Sequence, residues 1–343
     1  MGKERAFEGT RERAKRSTLA KILGWLRRHR LAVTLSIGFV FALLMVAVGV
    51  VGWIGSERAI HPERKIEEHT LAEYPFAEGT EEIHFQSLDG TPLAGWFISG
   101  GGPNSATVIL LHGYGRSRAE LLPHADYLHQ ADYNVLMFDF RNRGESGGDA
   151  VTVGLKEPLD VRGAVSYLLT RSDIDPERIA VQGVSLGASA GILAMADDPR
   201  IAAIVAESAF TDLKGAISRS FEHFIDLPPF PFAPATVFIT ERRLGADADD
   251  VRPVDAIKRL GQRPIFIIDD LEDKRIPVDS GRRLYEAAPG PKELWLIGNA
   301  GHVDGFKLHP EEYERRVLKF YQEHLGGPMA PVPAGNSISL PRD

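Results

Sequence analysis

Apolar residues follow three different patterns along this chain. From Leu31 to Ile54 they are continuous, LAVTLSIGFVFALLMVAVGVVGWI, and no charged residue interrupts them. Further on, short apolar runs bounded by glycine, proline and charged residues alternate with stretches in which apolar residues recur at helical spacing. The short runs predict strands at Glu82–Gln86, Leu93–Ile98, Ala106–Leu111, Asn134–Phe140, Ile179–Val184, Ile201–Ala206, Pro264–Ile268 and Glu293–Ile297. The first two are split by Asp89-Gly90 and read as a hairpin. Helices are expected over Arg118–His129, Pro158–Thr170, Ala188–Ala196 and Glu311–His324. Apolar strands alternating with helices predict an α/β fold, a mostly parallel sheet covered on both faces. The third pattern is Leu213–Leu244, dense in Phe and Pro, which breaks the alternation.

The run 31–54 is long enough to matter as a helix. At 1.5 Å per residue it would extend about 36 Å, against roughly 30 Å of bilayer hydrocarbon. Trp25 and Trp53 flank it as interface anchors would. A core helix of this length would show a polar face. A cleaved signal peptide would have a shorter apolar region, about 7–15 residues, before a small-x-small site. Gly52-Trp53-Ile54 is a poor cleavage context, so the expectation is an uncleaved signal anchor. Arg27, Arg28 and Arg30 precede the run directly. The segment after it mixes Arg58, Arg64 and Lys65 with Glu57, Glu63 and Glu67. That bias places the N-terminus in the cytoplasm and the large domain outside. The predicted organisation is a basic tail (1–30), a span (31–54), a polar linker (55–75) and a catalytic domain (76–325) carrying an insert (213–244). A Pro/Gly-rich tail (326–343), expected to be disordered, follows.

Composition narrows the chemistry. The chain of 343 residues has no cysteine, which excludes disulfides, thiolate metal sites and cysteine nucleophiles. Residues 1–30 hold ten Lys/Arg and three Glu, so the net charge of −7 conceals an acidic body behind a basic tail. Such a body does not suit nucleic acid, whereas the tail suits anionic lipid. HExxH, a P-loop and GxGxxG after the first strand are all missing, so no metal or nucleotide cofactor is expected.

Gly183-Val184-Ser185-Leu186-Gly187 fits G-x-S-x-G. It follows a predicted strand and opens a predicted helix, the context of a serine on a strained strand-to-helix turn. Glycines two residues to either side would let neighbouring backbone approach closely. Ser185 is therefore the candidate nucleophile. A serine hydroxyl needs a base, and His302 lies in a Gly-flanked loop between the last predicted strand and the last helix. His223, in the insert, is the rival base. His112 reads as a structural hydrogen-bonding residue.

His112-Gly113-Tyr114-Gly115 after ATVILL, Asp139–Ser146 after NVLMFDF, Asp273 in PIFIIDDLEDKRIP and His302 in IGNAGHVDGF complete a wider pattern. Together with the serine motif they resemble the α/β-hydrolase superfamily over roughly residues 80–325. The likeness is greatest to its monoacylglycerol-lipase-like, acyl-thioesterase-like and serine-aminopeptidase-like branches. The order Ser185, Asp273, His302 is the one that fold uses. The resemblance implies that Asp273 orients His302, and that the backbone N–H groups of Tyr114 and Leu186 hold the oxyanion. Asp269-Asp270 stands where family members usually carry His-Gly. The spacing to Ile276-Pro277 favours Asp273 over its neighbours, with Glu207 and Asp212 as fallback acids. Asp139–Ser146 is expected to be structural, with a minor possibility that Arg143 touches substrate.

These readings converge on a serine hydrolase cleaving carboxylic esters or thioesters with apolar, lipid-like acyl groups, through an acyl-enzyme on Ser185. Phe221, Phe224, Phe230 and Phe232 of the insert are the candidate acyl-pocket wall. A peptidase-like amide hydrolase is the alternative, with Glu222 and Asp226 as groups that could bind a peptide amino terminus. A non-catalytic binding protein on the same fold is the third reading. The sequence leaves the oligomeric state open.

Overall fold

The short runs become the strands β1 (Glu81–Gln86), β2 (Pro92–Ile98), β3 (Thr107–Leu111), β4 (Asn134–Phe138), β5 (Ile179–Val184), β6 (Ile201–Glu207), β7 (Ile265–Asp270) and β8 (Lys292–Ile297). The structure is a computed structural model that describes residues 16, 20, 24–25, 27–63, 67–102, 105–222 and 227–326. Among them the strands form one eight-stranded sheet in the order β1-β2-β4-β3-β5-β6-β7-β8. β1 and β2 are the predicted hairpin, with Gln86 opposite Pro92 and Glu81 opposite Phe97. β2 runs antiparallel to β4, and every later pair is parallel. This is the α/β-hydrolase fold expected from the sequence.

The central strands are buried along their whole length because both faces are covered. Their alternation feeds two cores. Ile109, Leu136, Phe138, Val181 and Ile267 face one, beneath α3 (Glu157–Leu168) and α4 (Leu186–Asp197). Val108, Leu110, Met137, Phe266 and Ile268 face the other, beneath α2 (Leu122–Gln130) and α10 (Pro310–Leu325). Burying each large apolar side chain contributes roughly 1.5–3 kcal/mol. The sheet is thereby a rigid platform whose carboxyl edge carries the loops.

The insert between β6 and β7 is helical. α5 (Leu213–Ser220) starts on Asp212, whose side chain accepts from the Gly215 N–H at 2.8 Å. α6 (Pro229–Leu244) includes a non-helical Phe230 and stops at Gly245, which is left-handed at φ 63°. α7 (Pro253–Ala256) follows it. α8 (Ser280–Ala287) had no counterpart in the sequence reading, because Leu284 is the one large apolar residue this short helix buries fully. α9 (Gly305–Leu308) is equally short.

The helix over the apolar run is α1 (Arg30–Ile60). The chain divides into two compact units between Val51 and Gly52. In the first, no residue of the apolar window of α1 is buried, and Leu31, Leu35, Phe39 and Val46 are all exposed. It is the one helix among the described residues long and apolar enough to cross a membrane. In the second, α1 continues past Ile54 into the stretch expected to be linker. Gly52, Ser56 and Ile60 explain this: spaced four apart, they form a buried face. A Cβ at Gly52 would lie 3.0 Å from Ala235 Cβ and from Ile239 Cδ1 of α6. The basic tail falls mostly outside the described residues. So do Arg64, Lys65 and the tail from 327 onward.

Candidate active site

Ser185 sits at the carboxyl end of β5, one residue before α4. Its backbone is held at φ 53°, ψ −114°, outside the comfortable regions for a side-chain-bearing residue. Such strain costs of order 1–3 kcal/mol and persists only where the surroundings enforce it. The enforcing contacts are the flanking glycines. A Cβ on Gly187 would lie 2.1 Å from the Leu111 carbonyl oxygen, and one on Gly183 would lie 2.5 Å from the Gly187 carbonyl carbon. The Ser185 N–H donates to the Glu207 carbonyl at 2.9 Å, tying the turn to β6.

His302 reaches this serine from the loop after β8. Its Nε2 lies 2.9 Å from Ser185 Oγ, and its Nδ1 lies 2.6 Å from Asp273 Oδ2. Asp273 is buried, and its Oδ1 accepts from the N–H groups of Arg275 at 2.6 Å and Ile276 at 3.0 Å. Its oxygens therefore act as acceptors, and Nδ1 supplies the proton. That leaves Nε2 free to accept from the serine hydroxyl. The spacing to Ile276 singled out Asp273 because these two N–H groups fix it.

The fallback acids are elsewhere. Asp212 caps α5. Glu207 accepts from the Gly305 N–H at 3.1 Å and from the Tyr313 hydroxyl at 2.8 Å. Asp270 Oδ2 accepts from the Val303 N–H at 3.0 Å and the Ser208 hydroxyl at 2.8 Å. Together they grip the backbone just after His302. Burial, reinforced by the charge of Asp270, pushes the Glu207 carboxyl upward, and burial raises Asp270 as well. Asp269 accepts from the Gly281 N–H at 3.2 Å and is pushed up to about 7, first by burial. The Asp269-Asp270 pair is thus structural support, a role the sequence did not signal.

On the opposite side lies the turn 112–116. The Phe140 N–H donates to His112 Nε2 at 3.0 Å, so Nδ1 carries the proton and donates to the Gly113 carbonyl at 2.8 Å. The Gly113 N–H donates to Glu120 at 2.6 Å. The Tyr114 hydroxyl donates to the carbonyls of Arg58 at 2.6 Å and Ala59 at 3.0 Å. A Cβ on Gly113 would lie 3.7 Å from Ser185 Cβ, so the turn faces the serine closely. Leu186 is the first residue of α4, where N–H groups lack an intrahelical acceptor. Arg141 binds Asp160 and Asp89 beneath this turn, and Arg143 donates to the Pro62 carbonyl at 3.1 Å.

Ser185, His302, Tyr114 and Leu186 open on one cavity of about 2210 Å³, lined mostly by apolar surface. Its walls include Gly55, Arg58 and Ala59 of α1, Leu213 and Ile217 of α5, and Thr236 and Thr240 of α6. Of the four expected wall rings, buried Phe221 lines the cavity. Phe230 does not: its non-helical backbone between two prolines turns the ring outward, 79% exposed. Phe232 is half-buried and absent from the cavity wall. Phe224, His223 and Asp226 lie outside the described residues, and Glu222 is exposed. The wall segment of α1 had not been anticipated. Its signal was the Gly52, Ser56, Ile60 spacing.

A strand–turn–helix serine backed by a histidine–carboxylate pair, at the carboxyl edge of a mostly parallel sheet, defines a hydrolase of the α/β-hydrolase class. A family model described as serine aminopeptidase, S33, matches residues 102–233. The uncharacterized protein YfhR of Salmonella typhimurium is 27% identical over 303 residues, covering 84% of this chain and 94% of its own. Protein Rv2307c of Mycobacterium tuberculosis is 30% identical over 285 residues, 80% of this chain and 89% of its own. Among solved structures, the Pyrococcus furiosus esterase Pf2001 matches with a TM-score of 0.63 at 30% identity, over 77% of this chain and 100% of that one. The chain belongs to the α/β-hydrolase superfamily.

Gly187→Ala, which sets a methyl against the Leu111 carbonyl, should cost about 1–3 kcal/mol or more in urea denaturation. Gly79→Ala, where nothing lies within 4 Å, should change stability by less than about 0.5 kcal/mol. The raised carboxyls make stability depend on pH. Asp269 keeps its proton to about 7 when folded but releases it in the ordinary carboxylate range when unfolded. Its contribution is complete below that range and is lost as pH rises through the folded value. Melting temperature should therefore fall between about pH 4 and about pH 7, and Asp269→Asn should shrink that fall.

Proposed function

We propose that the protein is a membrane-anchored serine hydrolase that cleaves carboxylic esters or thioesters of apolar acyl groups. The observation carrying this reading is the hydrogen-bonded chain Ser185–His302–Asp273 opening on an apolar cavity. His302 takes the Ser185 proton as Oγ attacks the acyl carbon, and Asp273 stabilises the resulting imidazolium. The oxyanion is held by the N–H groups of Leu186 and Tyr114. Collapse expels the alcohol or thiol, protonated by His302, and leaves an acyl-enzyme. Water, activated by the same histidine, then releases the acid.

The esterase described for the Pyrococcus furiosus protein supports the ester reading. The serine aminopeptidase model supports an amide alternative. Rates on a p-nitrophenyl ester and a p-nitroanilide of one acyl group separate the two. The anchor reading rests on the apolar run of α1. In this proposal the positive flank at Arg27, Arg28 and Arg30 keeps the N-terminus in the cytoplasm and the catalytic domain outside.

Ser185→Ala should lower kcat on the order of 10⁶-fold and abolish fluorophosphonate labelling. Asp273→Asn should lower it roughly 10⁴-fold, and Glu207→Gln far less. Substantial turnover by the serine variant, or a crippled Glu207→Gln beside a mild Asp273→Asn, would overturn these assignments.

Phe221 is the ring that can read acyl length. Each buried methylene contributes about 0.8 kcal/mol, roughly fourfold in binding. Phe221→Ala should shift the preferred chain length in a series of p-nitrophenyl esters more than it alters acetate turnover. A uniform loss with a large drop in melting temperature would mark Phe221 as packing alone.

A further inference from the structure

The outer face of α6 is apolar and uncovered among the described residues. Phe238 is 56% exposed and Phe230 79%, and Pro234 lies one turn before Phe238 on the same side. On the adjoining turn of α1, Trp53 is 55% exposed and Ile54 46%. Single exposed apolar residues are ordinary on soluble proteins, but a grouped set on adjoining helices requires an occupant.

The two helices are in close contact. Gly52 abuts Ala235 and Ile239, and a Cβ on Gly55 would lie 2.6 Å from Thr236 Oγ1. Arginines border the patch. The Arg243 guanidinium stands 4.7 Å from the Trp53 ring and pairs with Glu57 at 2.6 Å, while Arg242 stands 5.2 Å from the Phe238 ring. Rings with guanidinium groups above them suit the headgroup layer, where the ring meets acyl chain and the charge meets phosphate. The patch is also continuous in sequence with the uncharged run, which ends at Ile54.

We propose that α6 lies in the headgroup layer of the membrane that α1 enters, with Phe230, Phe238 and Trp53 immersed and Arg242 and Arg243 at the phosphates. This rests on the membrane-anchor reading. It has a consequence for substrate. Gly55, Thr236 and Thr240, along the same α1–α6 seam, line the cavity that holds Ser185. Esters dissolved in the bilayer then enter this cavity beside the seam without crossing bulk water.

The absence of native cysteine makes the test clean. Phe238→Cys and, on the far hairpin turn, Leu88→Cys are each labelled with the fluorophore NBD in the full chain. The proteins are reconstituted into phosphatidylcholine vesicles with or without shallow doxyl-labelled lipid, and flotation is scored in parallel. Severalfold stronger quenching at 238 than at 88 is the expected result. Flotation without quenching at 238 overturns the interfacial placement and leaves the anchor standing. A blue-shifted emission at 238 that resists doxyl lipid and grows with protein density assigns the patch to a second copy instead, and overturns it equally. Failure to float removes the anchor and this proposal together. In a kinetic arm, Phe238→Ser should lower turnover of a long-chain monoacylglycerol held in vesicles severalfold, with p-nitrophenyl acetate turnover unchanged. Equal loss on both substrates would count against entry from the bilayer.

Discussion

The contact between Gly187 and the Leu111 carbonyl is the constraint on which the site depends. No side chain fits there, since even a methyl would stand 2.1 Å from that oxygen. The approach brings the start of α4 hard against the end of β3, so the turn between β5 and α4 must be abrupt. Ser185 absorbs the abruptness in its positive φ. The same compression aims the first turn of α4 at the cavity. Ser185 and Leu186 consequently line the same cavity. Two buried cores hold the sheet rigid enough to sustain the strain.

The histidine side of the site is held by different physics. Glu207 and Asp270 lie at the carboxyl ends of adjacent strands and accept hydrogen bonds from Gly305 and Val303, in the loop that carries His302. Burial shifts both carboxyls upward, and the charge of Asp270 adds to the shift at Glu207. The loop is thus positioned by acids that do not touch the imidazole, and Asp273 alone among the nearby carboxyls bonds to it. The candidate catalytic acid and the supporting acids separate by hydrogen-bond partners, not by position in the strand.

Much of this was legible from residue order. The strand runs, the serine turn and the order Ser185, Asp273, His302 depend on local patterning, and the structure brings those three residues together as the motifs implied. What escaped depends on tertiary packing. α8 has too few apolar residues to announce itself. The helical turns beyond Ile54 are set by Gly52 and Gly55 packing against α6, a partner nearly two hundred residues away in the chain. Phenylalanine content alone could not sort the insert: Phe221 turns into the cavity, whereas Phe230, between Pro229 and Pro231, turns away from it.

That sorting gives the insert two faces with separate tasks. The inner face places Phe221, Thr236 and Thr240 on the cavity wall. The outer face leaves Phe230 and Phe238 uncovered by the rest of the chain among the described residues. Between them, small residues let α1 approach so closely that its last carbonyls, at Arg58 and Ala59, accept the Tyr114 hydroxyl. Those are orphan acceptors of a helix end, and a half-buried tyrosine satisfies them. The end of α1 and the turn proposed to hold the oxyanion are consequently one hydrogen-bonded assembly. Removing the helix through Ile60 would spare every residue of the candidate triad, yet it would strip Gly55, Arg58 and Ala59 from the cavity wall and leave the Tyr114 hydroxyl without its acceptors. The boundary between the two compact units therefore falls near Gly52, inside the helix, and residues 52–60 belong to the second unit with the sheet.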